Sequence, residues 1–503
     1  MIADVVVVGG GSAGCVLAAR LSDDDDRSVL LLEGGPDYPR TADLPNDVVD
    51  ASEPTVGHDW GFVAEADELG RCVPLPRARI MGGCSATNGC FALRGAPADY
   101  DGWAALGNPG WSFTDVLPYF RRLETDLDFR DDWHGVDGPI PVRRHPPEEL
   151  NLVQRSFIDA AVAAGQPYVE DHNRPGAVGV GPTPRNARDG VRMSTAITYL
   201  AAARHRQNLA IRGGAVVDRV EVTNGRARGV RLVGGEVVDA GRVVLAAGAY
   251  ASPAILARSG IGPADHLAEL GIEVVAHLVG VGENLSDHPI VAVDLPAAPG
   301  ITGPRFQAIA TLRSGLAASW PAPDLHLFVP GPFDVPHDVS PTGAVFGIVA
   351  GLLSPRSRGR VRLRSSDPLD PPRIAVAHLQ APDDLARMVE ATIVARQLAR
   401  TEPLARCVLG TELAPGPTVG DDDQEGIAAS VRARVSTYHH PVGTCRMGPD
   451  PDDGAVVDAR GQVYGIDRLH VVDASVMPTI PSANTNLPTI MVAERMAAWL
   501  RGA

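Results

Sequence analysis

Two adjacent histidines near the C-terminal end of the chain are the first candidates for chemistry. His439 and His440 stand directly before Pro441 in the stretch YHHPVGTCRMG, residues 438–448. An imidazole titrates near neutral pH, so a histidine can take a proton from a reacting group or return one to it. A residue before proline favours an extended backbone, in which neighbouring side chains point to opposite sides. We therefore expect only one of the two imidazoles to face a given site.

Two other interpretations of this histidine pair compete with proton transfer. Taken without its surroundings, His440 is more often a buried structural imidazole that bonds to backbone. A metal site built from His439, His440 and Cys445 is disfavoured, because adjacent extended residues diverge and no fourth ligand is suitably spaced. No metal is expected.

A glycine pattern near the N-terminus indicates a site for phosphate groups. Gly9, Gly11 and Gly14 form GxGxxG between a β-branched run and an apolar helical stretch, and Glu33 ends the next strand-like run. The first glycine permits a tight turn, the second lets the backbone approach a pyrophosphate, and the third allows close helix–strand packing. Glu33 is placed to accept hydrogen bonds from a ribose. The pattern predicts a dinucleotide site and fits NAD and FAD equally.

The elements that position these residues suggest two domains. The first 35 residues predict a strand, glycine turn, helix and strand, which is a βαβ unit, and residues 241–253 and 468–478 have similar strand character. Residues near 290–430 alternate like antiparallel strands. The predicted fold class is α/β, or α+β overall, with a discontinuous Rossmann-like nucleotide-binding domain and a substrate-binding domain that contains an antiparallel sheet. The predicted boundaries are 1–145, 205–290 and 432–503 for the first domain, and 146–204 and 291–431 for the second.

Composition limits the classes of function. The 503-residue chain is 45% hydrophobic and 21% charged, as globular proteins are, and its net charge of −16 disfavours nucleic acid as a partner. The chain contains no lysine, which excludes a lysine Schiff base and a P-loop lysine. Its six cysteines form no CxxC pair, no targeting signal is recognisable, and no apolar stretch is long enough to span a membrane. We expect a cytoplasmic protein and make no prediction of its oligomeric state.

Longer motifs narrow the choice of dinucleotide. RARIMGGCSATNG (77–89), GAYASPAILARSGIG (248–262), GVGENLSDHP (280–289), HPVGTCRMG (440–448) and VVDASVMPTIPSANTNLPTIMVAE (471–494) follow one another along the chain. In these motifs and their order the sequence resembles the glucose–methanol–choline (GMC) oxidoreductases, a family of FAD-dependent alcohol oxidases and dehydrogenases. The resemblance implies FAD as the cofactor of the nucleotide-binding domain.

The resemblance also implies where the cofactor lies. The segment from Gly82 to Asn88 would follow the flavin, Val217 would lie near the adenine, and Asp473 would lie by the pyrophosphate and ribityl chain. The positive N-terminal end of the last helix, opened by Asn486, would face the pyrimidine side of the flavin ring. The implied cofactor-binding residues are Gly9, Gly11, Ser12, Ala13, Gly14, Glu33, Met81, Gly82, Gly83, Ser85, Asn88, Gly89, Val217, Ala247, Asp473, Ala474, Asn484, Asn486, Leu487, Pro488 and Thr489.

One position departs from some members of the family. Certain relatives attach the flavin covalently through a histidine immediately before the asparagine of the second motif. This chain has Thr87 there, ahead of Asn88. We therefore expect FAD to be bound non-covalently.

The resemblance assigns roles to two candidate catalytic residues. His440 occupies the pre-proline position of the HPxGT motif and would take the proton of a substrate hydroxyl. Such a base is needed because hydride leaves the carbinol carbon only if the hydroxyl proton leaves at about the same time. Asn484, 44 positions further on, would hydrogen-bond the substrate oxygen. His439 would be structural or would line the pocket.

The expected reaction is oxidation of a primary alcohol to an aldehyde, with hydride transfer to flavin N5. The resemblance favours an aromatic, furan or other small uncharged alcohol. Choline is disfavoured because the sequence shows no recognisable aromatic cage or dedicated carboxylate for a quaternary ammonium. Oxygen, a quinone or a peptide-derived carrier could accept the electrons, and the sequence leaves this choice open. Two alternatives also stay open: an FAD-containing lyase of the hydroxynitrile lyase or photodecarboxylase type, and a protein that binds FAD without catalysis.

Overall fold

The computed structural model describes residues 3–298, 300–317 and 321–502. Within them, no helix has the length and apolar character needed to cross a bilayer. The helices are α1 (Ser12–Leu21), α2 (Asn46–Val49), α3 (Pro97–Ala105), α4 (Phe113–Leu123), α5 (Leu152–Ala163), α6 (Ala201–Ala203), α7 (Gly248–Arg258), α8 (Ala264–Glu269), α9 (Pro382–Ala399), α10 (Gln424–Arg434) and α11 (Asn486–Gly502).

Most of the strands belong to two large sheets. In chain order the strands are β1 (Ala3–Val8), β2 (Val29–Leu32), β3 (Glu124–Asp126), β4 (Ile140–Val142), β5 (Gly179–Pro182), β6 (Ala187–Arg188), β7 (Val191–Arg192), β8 (Leu209–Arg212), β9 (Val217–Thr223), β10 (Arg226–Leu232), β11 (Val237–Leu245), β12 (Ile261–Gly262), β13 (Ala276–His277), β14 (Pro289–Pro296), β15 (Ala308–Leu312), β16 (Leu325–Phe328), β17 (Phe333–Asp334), β18 (Ala344–Leu352), β19 (Arg360–Arg362), β20 (Arg373–Ala375), β21 (Ser436–Thr437) and β22 (Leu469–Val471).

The first sheet is largely parallel. Its order is β8–β2–β1–β11–β10–β9, and β22 pairs with β11. Strands β8, β2, β1, β11 and β22 run parallel, whereas β9 and β10 extend the sheet with antiparallel pairing. Val6 and Val7 on β1 are both fully buried, as expected for a parallel strand whose two faces are covered. The α/β fold class with a Rossmann-like domain is thereby confirmed.

The second sheet is antiparallel and has the order β21–β14–β18–β16–β15–β5. Its strands alternate between two cores with a period of two residues. Leu327 and Ile348 pack with helices α5 and α9 on one face, whereas the next residue of each strand, Phe328 and Val349, belongs to a smaller cluster on the other face. That second face also contains Tyr438, which follows β21.

Two stretches make contacts that cross the predicted division of the chain. Tyr199, Leu200 and Ala203, in the range 146–204, pack in the core of the parallel sheet. Strand β21, in the range 432–503, pairs with β14 of the antiparallel sheet. Apolar periodicity shows that a segment is buried but not against which sheet, so it could not place these residues. The domain boundaries themselves stay a prediction.

Candidate active site

A cavity of about 630 Å³ lies between the two sheets. Val8 at the end of β1, Leu32 at the end of β2 and Asp473 just after β22 line it from the parallel sheet. Ile290 on β14 and Phe328 on β16 line it from the antiparallel sheet. Ligands of open α/β sheets bind at the carboxyl ends of the strands, and the cavity has this position.

The glycine turn after β1 forms one wall of the cavity. Gly9 has a φ of +99°, which favours glycine, and a Cβ on Gly14 would lie 1.8 Å from the Gly9 carbonyl oxygen. These two glycines are therefore required by the fold of the turn itself. A Cβ on Gly11 would meet only Gly83 Cα, at 3.9 Å, and Gly11 lines the cavity. The space beside Gly11 is thus available to a ligand.

The N-termini of helices α1 and α11 meet at this wall. Ser12, the first residue of α1, donates a hydrogen bond from Oγ to Oδ1 of Asn486, the first residue of α11, at 2.8 Å. Both residues line the cavity. Free N–H groups and the positive ends of two helix dipoles therefore lie close together, an arrangement that favours the phosphate groups of a dinucleotide.

Two buried carboxyl groups organise the loops of the cavity. Glu33 accepts hydrogen bonds from the backbone N–H groups of Gly10 at 2.8 Å and Gly35 at 2.7 Å. Burial raises the pKa of Glu33 to about 7 although these N–H groups act in the opposite direction. Asp473 accepts hydrogen bonds from the Gly248 N–H at 2.8 Å and from Ser252 Oγ at 2.6 Å, and it thereby fixes the start of α7.

The cavity brings together most of the residues that the resemblance assigns to the cofactor. Those that line it are Gly9, Gly11, Ser12, Ala13, Glu33, Gly83, Asn88, Gly89, Val217, Ala247, Asp473, Ala474, Asn484, Asn486 and Thr489. The others are not among the residues that line it: Gly14, Met81, Gly82, Ser85, Leu487 and Pro488. Ser85, for example, donates a hydrogen bond to the Gly82 carbonyl at 2.6 Å and so shapes the loop that lines the cavity. The individual cofactor contacts stay predictions.

His440 and Asn484 lie side by side in the same cavity. Asn484 Nδ2 is 3.1 Å from His440 Nε2, and each residue is only 8% exposed. The backbone N–H of His440 donates to Asp287 Oδ1 at 2.8 Å, which holds the position of the histidine. Burial, followed by the positive charges that His288, His439 and Arg77 can bear, lowers the pKa of His440 well below its ordinary 6.5.

The expectation that the two adjacent histidines diverge along an extended segment is wrong for the backbone of His439. This residue has a φ of +66°, in the left-handed region, and its chain is bent there. Thr437 Oγ1 accepts the His439 N–H at 2.7 Å, and Arg77 Nη2 donates to the His439 carbonyl at 2.9 Å. These bonds stabilise the left-handed conformation of His439. The preference for an extended backbone directly before a proline applies to His440 and not to His439. Both residues line the cavity, with His439 exposed and His440 buried.

Comparisons with known proteins agree over nearly the whole chain. Two family models described as GMC oxidoreductase match residues 3–290 and 355–493. The oxygen-dependent choline dehydrogenase of Photobacterium profundum is 36% identical over 94% of this chain and 88% of its own. An uncharacterised GMC-type oxidoreductase of Rhodococcus erythropolis is 38% identical over 94% of this chain and 93% of its own. The crystal structure of pyridoxine 4-oxidase from Mesorbium loti is 33% identical, covers 100% of this chain and 99% of its own, and gives a TM-score of 0.90.

This chain belongs to the GMC oxidoreductases. It is an FAD-dependent enzyme that oxidises alcohols, so the family, the cofactor and the enzyme class expected from the sequence are confirmed.

The residues of this GMC oxidoreductase fit FAD. Gly89 and Gly248 line the cavity, and apart from chain neighbours no atom of the described residues lies within 4 Å of the Cβ that either could have. Larger residues at these positions would place side chains in space that a cofactor needs. Together with the two helix N-termini at Ser12 and Asn486, this open backbone can receive a large anionic dinucleotide.

An aromatic wall stands beside His440, and sequence reasoning did not identify it. We define it as Phe91, Ile290, Phe306, Phe328 and Tyr438, all of which line the cavity and none of which is charged. Within it the Phe328 and Tyr438 rings stack with centroids 5.2 Å apart, and the Tyr438 centroid is 4.4 Å from that of His440. Five separate segments contribute these residues, and periodicity marks them only as buried. The proximity of Tyr438 to His440 in sequence was the one available signal.

A buried cluster of acidic groups lies outside this cavity. Glu124, Asp126 and His134 are close enough to hold a metal ion. However, Glu124 pairs with Arg94 and Asp126 pairs with Arg144. Burial alone would lower the pKa of His134, but its hydrogen bonds to neighbouring carboxylates outweigh this effect and raise the pKa to about 10. With three cationic partners already present, the cluster is an ion-pair network that ties segments of the chain together.

Proposed function

We propose that this enzyme oxidises a primary alcohol that bears a planar, uncharged ring to the corresponding aldehyde, with His440 as the general base. The observation that supports it is the position of His440 Nε2, 3.1 Å from Asn484 Nδ2 and beside the aromatic wall. A hydroxyl group placed there can contact the imidazole and the amide together, while a ring attached to the carbinol carbon packs on Phe328 and Tyr438.

His440 and Asn484 act on the proton and the oxygen atom of the substrate hydroxyl group. His440 Nε2 accepts the hydroxyl proton, which leaves both electrons of the O–H bond on the substrate oxygen as the C=O bond forms. FAD, when bound, supplies the acceptor for the hydride that leaves the carbinol carbon. Asn484 Nδ2 has two hydrogens, so it can donate one to the oxygen while negative charge develops there. The low pKa of His440 keeps its imidazole neutral and able to accept the proton at neutral pH.

The uncharged aromatic wall decides our choice of substrate class. Phe91 meets Phe306 and Phe328 edge to face, with centroids 5.9 and 5.6 Å apart, so the wall presents both ring faces and ring edges. A planar ring can stack on such a surface. None of the five wall residues can supply a carboxylate to balance a cationic substrate.

Choline is the second candidate, since relatives 36% identical are choline dehydrogenases and aromatic rings can hold a quaternary ammonium. The pyridoxine 4-oxidase relative, 33% identical, is named for a substrate with a planar ring. We favour the ring alcohol because the wall lacks a carboxylate. The family assignment as an alcohol-oxidising enzyme disfavours the lyase alternative, and the electron acceptor is identified by experiment.

An anaerobic substrate panel tests the proposal. The purified holoenzyme is mixed without oxygen with benzyl alcohol, 5-hydroxymethylfurfural, pyridoxine and choline, and flavin absorbance is followed. We expect the ring alcohols to bleach the flavin with kcat/KM values at least about tenfold above that of choline, a difference of about 1.4 kcal/mol in transition-state binding. Faster bleaching by choline, or bleaching by none of the three ring alcohols, would refute the substrate class. Reoxidation by air compared with an artificial dye then identifies an oxidase or a dehydrogenase.

A further inference from the structure

We propose that His288 is a positioning residue that fixes the tautomer of His440. The two hydrogen bonds that join the Leu353 carbonyl, His288 and His440 form what we call the relay, and the Leu353 carbonyl sets its direction. The inference rests on the proposed function of His440 and adds the device that keeps its Nε2 free of a proton. His288 directly precedes β14 and Leu353 directly follows β18, so the relay joins the rim of the antiparallel sheet to the catalytic histidine.

The direction of the relay begins at Leu353. His288 Nε2 lies 2.9 Å from the Leu353 carbonyl oxygen. A carbonyl oxygen accepts hydrogen bonds and cannot donate them, so His288 Nε2 must bear the proton. The opposite tautomer would place a lone pair against that oxygen in a fully buried position, because His288 has no exposed surface.

The second step passes from His288 to His440. Burial lowers the pKa of His288 to about 4, so at neutral pH its ring bears a single proton, the one on Nε2. His288 Nδ1 is then an acceptor. It lies 3.0 Å from His440 Nδ1, and the two rings meet at 85°. His440 Nδ1 must therefore be the donor of this hydrogen bond.

The third step leaves the working nitrogen of His440 ready to accept a proton. With its proton on Nδ1, the neutral His440 ring has a lone pair on Nε2. Asn484 must then present its amide Nδ2, and not Oδ1, to that nitrogen, which is the orientation that the structure has. The relay thus explains why His440 Nε2 can act as a base while the Asn484 amide donates a hydrogen bond beside it.

Asp287 holds the same loop in a different way. Its carboxylate accepts the backbone N–H of His440 and a hydrogen bond from Thr437 Oγ1, without contact to the His440 ring nitrogens. Asp287 thus positions the backbone, whereas His288 orients the side chain. Removal of the His288 acceptor would leave His440 free to place its single proton on Nε2, where it could no longer act as a base.

Two variants of His288 separate positioning from packing. His288→Leu removes the acceptor, whereas His288→Asn retains an amide oxygen that can accept the His440 Nδ1 proton. We expect His288→Leu to bind FAD, keep its KM and lose about 10²- to 10⁴-fold in kcat, the loss typical of a misdirected base. We expect His288→Asn to recover at least about tenfold of that loss.

His326→Asn is the matched control. His326 is a buried histidine beside the ring of Tyr438, which in turn lies next to His440. The Nδ1 of His326 has no hydrogen-bond partner in the described part of the chain. This variant removes a neighbouring imidazole and should keep kcat near that of the wild type. Full activity in His288→Leu, or equal losses in the Leu and Asn variants, would overturn the proposal.

A spectroscopic measurement on the wild-type holoenzyme does not depend on the folding of any His288 variant. The protein is labelled with ¹⁵N-histidine, and the signals of His440 are assigned by their loss in His440→Ala. We expect a protonated, pyrrole-type Nδ1 and an unprotonated, pyridine-type Nε2 at neutral pH. A protonated Nε2 would overturn the relay. Failure of the proposed function would appear separately, as turnover that survives in His440→Ala.

Discussion

Asn484 Nδ2 lies 3.1 Å from Nε2 of His440, although the two residues are 44 positions apart and belong to different loops. Asn484 Oδ1 and the Tyr438 hydroxyl are buried near this pair and find no hydrogen-bond partner among the described residues. A buried cavity that holds unused polar atoms beside a neutral imidazole is suited to receive a polar group of a ligand.

Replacement of Asn484 tests the donor of the pair. Asn484→Asp preserves the shape of the side chain but replaces the amide N–H groups with an oxygen that accepts hydrogen bonds. We expect FAD to remain bound and kcat to fall about 10²-fold, as for loss of one donor to a developing negative charge. The measurement is steady-state turnover with a primary ring alcohol. Undiminished turnover in this variant would show that Asn484 donates nothing to the reaction.

Two neighbouring glycines should respond differently to the same substitution. In Gly14→Ala the new Cβ would lie 1.8 Å from the Gly9 carbonyl oxygen, so we expect loss of folded protein. In Gly11→Ala the nearest atom would be 3.9 Å away, so we expect an apoprotein with normal thermal stability that retains little FAD. Thermal melting of the apoprotein and the flavin-to-protein ratio measure the two effects. A Gly11→Ala enzyme with full flavin content would contradict the position of the cofactor against this turn.

The low pKa of His440 predicts the pH dependence of the reaction. Burial and the nearby His288, His439 and Arg77 disfavour the imidazolium form. Because the folded-state pKa lies well below 6.5, the neutral base persists as pH falls through that value, and its activity is lost only at lower pH. We expect kcat/KM for anaerobic flavin reduction to have no acid limb above about pH 6.5. A tenfold loss between about pH 8 and pH 7 would be inconsistent with this environment.

Thr87 predicts that the cofactor is released when the protein unfolds. This residue lines the cavity at the position where some relatives have a covalently linked histidine. A threonine offers no imidazole to bond to the flavin, so we expect acid precipitation to leave the yellow colour in the supernatant. As a control, apoenzyme is mixed with free FAD and precipitated at once, which measures how much flavin is trapped in the pellet without a covalent bond. Flavin that stays in the washed pellet would show a covalent bond at another residue.

The phosphate-binding half of the site could be predicted from sequence because its constraints are local. The glycine turn, the first helix and Glu33 follow one another within 35 residues, and the need for Gly9 and Gly14 arises from contacts inside that segment. The resemblance to the GMC family implied the pairing of His440 with Asn484, and the structure places both residues in one cavity.

Long-range contacts account for what the sequence did not disclose. His288 is 152 positions from His440, and only the antiparallel sheet and the loop after β21 bring the two rings together. One signal was present: both histidines directly precede a proline, in DHP and HHP. The left-handed backbone of His439 depends on bonds to Thr437 and to the distant Arg77, which no local rule predicts. The aromatic wall likewise depends on which face of the antiparallel sheet meets the cavity.

Rapid anaerobic mixing of His440→Ala with a primary ring alcohol tests the central claim most directly. The variant should bind FAD as the wild type does, because the glycine turn and the two helix N-termini are unchanged. We expect its rate of flavin reduction to fall about 10²- to 10⁴-fold, the usual contribution of a general base. A His440→Ala enzyme whose flavin is reduced as fast as that of the wild type would contradict the assignment of His440 as the base.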